Sequence, residues 1–146
     1  MAFALRPYQP PDRRALIEAI NRVCAEGMMR TPCFEPTPAW EHALNRPDCR
    51  CHFLLVATEG SRIVGWCRLF PTGEGTLELG IGVVAFYRYQ GIGSALVKVA
   101  LDWASDQGMP VILETRTDNL PAIRLFIRFG FRTIGQTNGH WRMCYP

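Results

Sequence analysis

Apolar side chains fall at Ile92, Ala95, Leu96, Val99, Ala100 and Trp103, the three-and-four spacing of one buried helical face. Gly108 stops that period and Pro110 prevents its continuation, so the strongest helix of the chain is expected to end there. Upstream the pattern shortens. Residues 52–59, 62–70 and 76–83 are apolar-rich runs separated by Gly60-Ser61 and by Pro71-Thr72-Gly73-Glu74-Gly75, which predicts three strands in an antiparallel meander. Gly80 and Gly82 interrupt the last run, the mark of a bulge or of close backbone approach. Val111-Ile112-Leu113 is a short buried strand, and with the long helix it completes a parallel strand–helix–strand crossover.

The flanks complete the order. A short strand is expected over residues 3–6. Pro10-Pro11-Asp12 opens a helix with Asp12 as cap, Leu16, Ile20, Val23 and Cys24 on one face, and Gly27 at its end. Thr37-Pro38 starts a second helix that runs through Trp40 to Leu44, and residues 28–35 between the two read as loop. A further helix from about Asn119 to Phe129 stops at Gly130. Residues 131–137, the turn pair Asn138-Gly139 and residues 140–145 read as a closing hairpin. The fold class is therefore mixed α/β. No repeat, low-complexity tract or linker divides the chain, so residues 1–146 are read as a single domain.

Composition changes this picture little. Apolar residues at 48% and charged residues at 20% are ordinary for a globular protein. A net charge of +3 without any block of like charge suits a small anion and falls short of a nucleic-acid footprint. The first six residues are too short and too quickly polar for a signal peptide, and no apolar run approaches the ~20 residues that cross a bilayer. No membrane association and a cytoplasmic location are the expectation, with a homodimer left open. Cys24, Cys33, Cys49, Cys51, Cys67 and Cys144 are scattered, and only Cys49 and Cys51 are close. With no second pair at zinc spacing, reduced structural thiols are expected and no metal.

Candidate chemistry concentrates in Arg88-Tyr89-Gln90-Gly91-Ile92-Gly93-Ser94. The two glycines sit where a loop meets the start of the long helix. Backbone N–H groups there lack intrahelical partners, and the helix dipole adds about half a positive charge. Without side chains in the way, an anion such as a pyrophosphate can reach several amides at once. A tight turn with ordinary capping is the plainer reading of the glycines alone. A P-loop needs Gly-Lys-Ser/Thr, and a dinucleotide fingerprint needs three glycines after a first strand; neither is present.

Arg88-x-x-Gly91-x-Gly93 resembles the pyrophosphate loop of the GNAT N-acetyltransferases, and residues 82–88 resemble the strand and approach loop before it. Asn119-x-x-Ala122-x-x-Leu125-Phe126-x-x-Phe129-Gly130-Phe131 resembles the second recurring block of that family. Leu5-Arg6 with Asp12 resembles its opening and Val64-Gly65 its middle strand, so the similarity spans nearly the whole chain.

The resemblance implies a mostly antiparallel sheet with flanking helices, whose central parallel strands, residues 76–83 and 111–115, splay around acetyl-CoA. It implies that Val83 pairs with the pantetheine arm and that the loop of Arg88, Tyr89, Gln90, Gly91, Ile92, Gly93 and Ser94 holds the pyrophosphate. Asn119 would contact the pantetheine or acetyl region, and would also serve as a helix cap. The implied reaction moves an acetyl group from acetyl-CoA to a primary amine of a small molecule or protein.

An amine attacks a thioester only when neutral, so a base must take its proton. Glu78 lies near the place where family members keep a glutamate base; an outward, solvated strand residue is the alternative. Backbone N–H groups at residues 82–84 would stabilise the oxyanion if a bulge frees them. Where the family often has a tyrosine that protonates the leaving thiolate, this chain has Phe126, which leaves Tyr87, Tyr89, Tyr145 or water for that task. This departure keeps a non-catalytic acetyl-CoA sensor or interaction module open. Met28, Met29, Phe34 and Trp40 line an acceptor pocket or belong to the core, with the hairpin around His140-Trp141 bordering the same region.

Overall fold

A computed structural model describes residues 2–29 and 31–146; Met1 and Arg30, the latter inside the expected 28–35 loop, lie outside the described residues. The strands are β1 (Ala4–Pro7), β2 (Phe53–Glu59), β3 (Arg62–Pro71), β4 (Leu77–Val83), β5 (Val111–Arg116), β6 (Arg132–Thr137) and β7 (His140–Tyr145). They form one sheet in the order β1-β2-β3-β4-β5-β7-β6. The helices are α1 (Arg13–Cys24), α2 (Pro38–Asn45), α3 (Ile92–Gln107) and α4 (Leu120–Arg128). The expected order of elements is the observed one.

Strand alternation sorts the sheet into two cores. Leu54 and Val56 of β2 pack with Trp66 and Phe70 of β3 against Leu16, Ile20 and Val23 of α1 and Leu44 of α2. The intervening Leu55 and Ala57 pack with Val64, Cys67 and Leu69 against Leu96, Val97 and Ala100 of α3 and Phe126 of α4. Helices α1 and α2 therefore cover one face, and α3 and α4 the other. Gly108 ends α3 in the left-handed region at φ 68°, and Asn138 and Gly139 turn the last hairpin at φ 51° and 77°.

The central feature is the pair β4 and β5. They run parallel, the one parallel pairing in the sheet, and their register holds only Leu77 with Val111 and Glu78 with Ile112. Both strands continue beyond that point, β4 to Val83 and β5 to Arg116, so they part at their C-terminal ends. A wedge opens there.

Three expectations need correction. Gly80 and Gly82 do not mark a bulge, because β4 pairs residue for residue with β3 from Leu77 with Pro71 to Val83 with Gly65. They mark close approach: a β-carbon on Gly80 would stand 2.6 Å from Arg68 Nε, and one on Gly82 would enter the Trp66 ring. Asp12 makes no side-chain cap to α1. Its carboxylate accepts from Gln9 N–H at 2.9 Å and from Arg6 Nη1 and Nη2 at 2.7 and 2.9 Å, which ties the preceding turn to β1. Cys49 and Cys51 form a disulfide rather than two reduced thiols. The tight turn between them brings their Cα atoms to 5.4 Å, within bridging reach. Cys24 and Cys67 are buried free thiols, as expected, and burial pushes both up in pKa.

Candidate active site

The approach to α3 is built from turns. After a 3-10 turn at Ala85–Tyr87, Tyr89 and Gly91 both take positive φ, 62° and 86°. Such a backbone suits glycine at 91 and strains any β-carbon there. The amide of Ala95 donates to Gly91 C=O at 3.1 Å and opens the helical ladder. The amides of Ile92, Gly93 and Ser94 precede it, in the first turn where no carbonyl lies one turn back. The positive end of α3 therefore faces the wedge.

A cavity of about 550 Å³ lies between this loop, β4 and α4. Val83, Arg88, Tyr89, Gly91, Ile92, Gly93, Ser94 and Asn119 line it. Gln90 does not, and donates instead to Phe86 C=O at 3.4 Å. Ile92 is 1% exposed, so it offers the cavity backbone rather than side chain. Arg88 also differs from a simple phosphate ligand. Its guanidinium binds both oxygens of Glu26 at 2.6 and 2.8 Å, and its Nε donates to Val83 C=O at 2.9 Å. It clips the segment after α1 to the end of β4.

A second cavity of about 200 Å³ opens on the same wedge, and Ile81, Asn119 and Phe126 border both. Glu78 lines this second space, with its side chain 31% exposed. Arg68 holds it, donating to the Glu78 carboxylate at 3.3 Å and to its C=O at 3.1 Å. The empty side of Gly80 is what lets Arg68 cross the strand to make that contact. Arg68 in turn stacks over Phe70 at 4.7 Å. Met28, Met29, Phe34, Trp40 and His140 line the same cavity, which joins the expected acceptor residues in one place.

The sequence of residues 17–131 matches the model of the Acetyltransferase (GNAT) family. This chain belongs to that family.

Over 92% of this chain, the GNAT protein N-alpha-acetyltransferase RimI of Mycobacterium tuberculosis is 33% identical, and the match covers 87% of RimI. N-acetyltransferase 8B of Rattus norvegicus is 38% identical over 56% of this chain, a match covering only 40% of that longer protein. The structure of yncA from Salmonella typhimurium with acetyl-CoA superposes with a TM-score of 0.81 at 18% identity, covering 99% of this chain and 94% of that one.

Against the GNAT pattern, two features stand out. Phe126 is 4% exposed and borders both cavities, so the position that carries a tyrosine in the expected pattern offers no hydroxyl to the wedge. Of the three tyrosines considered as replacements, Tyr87 donates to Glu59 at 3.2 Å, Tyr89 is 90% exposed, and Tyr145 packs on Phe131 away from both cavities. Glu114 of β5 lines the second cavity beside Glu78, a carboxylate that sequence reasoning missed. Alternation along β5 puts it on the wedge face, but that face is fixed only by the β7 register, Glu114 with Arg142. Asn119 caps α4, accepting from Ala122 N–H at 3.4 Å, while lining both cavities.

Proposed function

We propose that this chain binds acetyl-CoA in the larger cavity and passes its acetyl group to a primary amine in the smaller one. The observation that carries this reading is the wedge itself. Pairing between β4 and β5 stops after Glu78, and the gap opens onto the glycine loop on one side and Glu78 on the other.

The backbone supplies the binding. Leu77 N–H donates to Pro110 C=O at 2.9 Å, so the odd residues of β4 turn their peptide groups toward β5. Past the splay, the peptide groups of Ile81 and the N–H of Val83, whose C=O already accepts from Arg88 Nε, face the gap and suit the amides of a pantetheine arm, as an added strand would. The N-terminal amides of α3 at Ile92, Gly93 and Ser94 suit the pyrophosphate. Arg88 shapes this site by holding Val83 and Glu26, with Tyr89 and Gln90 completing the loop. That the yncA structure holds acetyl-CoA on the same fold supports this reading.

In the smaller cavity Glu78 takes the proton of the incoming ammonium, directly or through water. The neutral nitrogen attacks the thioester carbon; the C–N bond forms, the C–S bond breaks, the thiolate leaves, and the second proton lost by the nitrogen passes to water. A thiol with an ordinary pKa of about 8.5 leaves tolerably near neutrality, so solvent can protonate it without help from Phe126. The acceptor is an amine of a small molecule or a protein. The name of the RimI relative, matched over most of both chains, makes peptide α-amines the first to try. A second reading, an acetyl-CoA-binding module without turnover, is favoured by Phe126 alone.

Free thiol release from acetyl-CoA separates the two. The panel contains peptides with a free α-amine, the same peptides N-acetylated, and small aliphatic amines. Amine-dependent release supports transfer and ranks the acceptors. Saturable acetyl-CoA binding with no release across the panel leaves the binding module.

A further inference from the structure

Away from the wedge, α2 and the segment that follows it bring four metal-ligating side chains together. His42 lies on α2, Cys49 and Cys51 lie in the α2–β2 connection, and His52 immediately precedes β2. Their ligand atoms all stand within 4.8 Å of one another. Cys51 Sγ is 3.3 Å from His42 Nε2 and 3.3 Å from His52 Nδ1. Tetrahedral zinc, with bonds of about 2.3 Å to sulfur and 2.0–2.1 Å to nitrogen, needs ligand-to-ligand edges of roughly 3.3–3.8 Å. We propose that His42, Cys49, Cys51 and His52 form a tetrahedral Cys2His2 site for zinc.

Two further observations point the same way. His52 is only 5% exposed, and its Nε2 is buried without a protein partner. Burial costs the imidazole its hydration, and the ring nitrogen turned into the cluster is Nδ1, beside Cys51 Sγ, while Nε2 faces away from it. The amide of Cys51 donates to Cys49 Sγ at 3.3 Å, a bond that favours a thiolate at that sulfur.

The two sulfurs are joined in this structure. The zinc-loaded form is the reduced one: the disulfide takes two electrons and two protons to give two thiols, and zinc then displaces both protons. None of the four residues lines either cavity of the wedge, so zinc here is structural rather than catalytic. It would fasten α2 to the start of β2. Behind it, His52 packs on Phe70 at 6.3 Å, and Phe70 on Trp40 at 5.1 Å.

The test uses the full chain, reduced with a phosphine that supplies the two electrons. The protein is exchanged into zinc and stripped of loose metal on a chelating resin, and its zinc is measured by mass spectrometry. About one zinc per chain is expected, as a closed Cys2His2 site holds one ion. Cys33→Ser, which changes an exposed cysteine outside the cluster, should keep it. Cys49→Ser with Cys51→Ser should lose it. Cobalt(II) in the reduced wild-type chain should give the visible bands of a tetrahedral ion with thiolate charge transfer in the near ultraviolet. His42→Gln should weaken cobalt binding at least roughly tenfold. Circular dichroism checks that each variant is folded; if the double variant is not, the wild-type cobalt spectrum and His42→Gln decide. Reduced, folded wild-type chain that holds no zinc, or gives the faint spectrum of octahedral cobalt, would overturn the proposal.

Discussion

At Gly82 a β-carbon would fall inside the ring of Trp66, which is 1% exposed and has nowhere to move. Gly82→Ala is therefore expected to destabilise the fold by about 1–3 kcal/mol, the usual cost of overpacking, measured as a lower urea midpoint. Gly80 two residues earlier clears the path for Arg68, and through it holds Glu78 at the smaller cavity. If Glu78 removes the proton of the amine, Glu78→Gln should lower kcat by roughly 10²–10⁴-fold with acetyl-CoA affinity nearly unchanged. Steady-state rates beside a binding titration check this, and an unimpaired kcat would pass the task to Glu114 or to water. The sequence marked these glycines as unusual but not why. A strand pattern does not reveal which cross-strand side chain, Arg68 or Trp66, will lie across the gap. Glu114 escaped notice for a related reason, because its face depends on pairing with Arg142 across a strand that arrives much later in the chain.

Among the elements, α1 and β1 are joined through one carboxylate. Asp12 accepts from Arg6 Nη1 and Nη2 and from Gln9 N–H, and the hydrogen bond to Arg6 is the main cause of its lowered pKa. A carboxylate with a folded pKa below its unfolded value contributes stability above that unfolded value, near 3.9. The contribution is lost as pH falls through the folded value. Asp12→Asn is expected to cost about 1 kcal/mol at pH 7, a modest figure because Arg6 is 43% exposed. The wild type and the variant should converge in stability as pH drops toward the acid range. Urea melts at both ends of that range check it; an undiminished gap in acid would mean that shape rather than charge carries the link. Helix and strand identity were legible in the apolar periods, and Thr37 caps α2 as its sequence suggested, accepting from Trp40 N–H at 3.3 Å. Asp12 was misread because a carboxylate beside a helix start serves equally as a cap or as the partner of a cation brought from another strand. Arg6 lies six residues back on β1, and the turn at Pro10–Asp12 folds the carboxylate onto it.

For the whole molecule, the decisive fact is where one parallel pair comes apart. Local pattern could give the two strands and the helix between them. The splay came from family resemblance, since nothing in the residues 79–83 or 113–116 states that two neighbouring strands will diverge. The candidate metal cluster was legible only as the pair Cys49 and Cys51, because His42 and His52 flank that pair on a helix and before a strand, outside any spaced motif. Among the described residues no helix is long and apolar enough to cross a membrane. Calorimetric titration of acetyl-CoA into the wild-type chain and into Gly93→Val tests the account most directly. A β-carbon at Gly93 points toward Leu125 Cδ2, 3.4 Å away, so a valine there grows into the space between α3 and α4, beside the proposed pyrophosphate site. The wild type should bind, and the folded variant should bind at least tenfold more weakly, a loss of about 1.4 kcal/mol or more. Equal affinity in the two would contradict the placement of acetyl-CoA in this wedge.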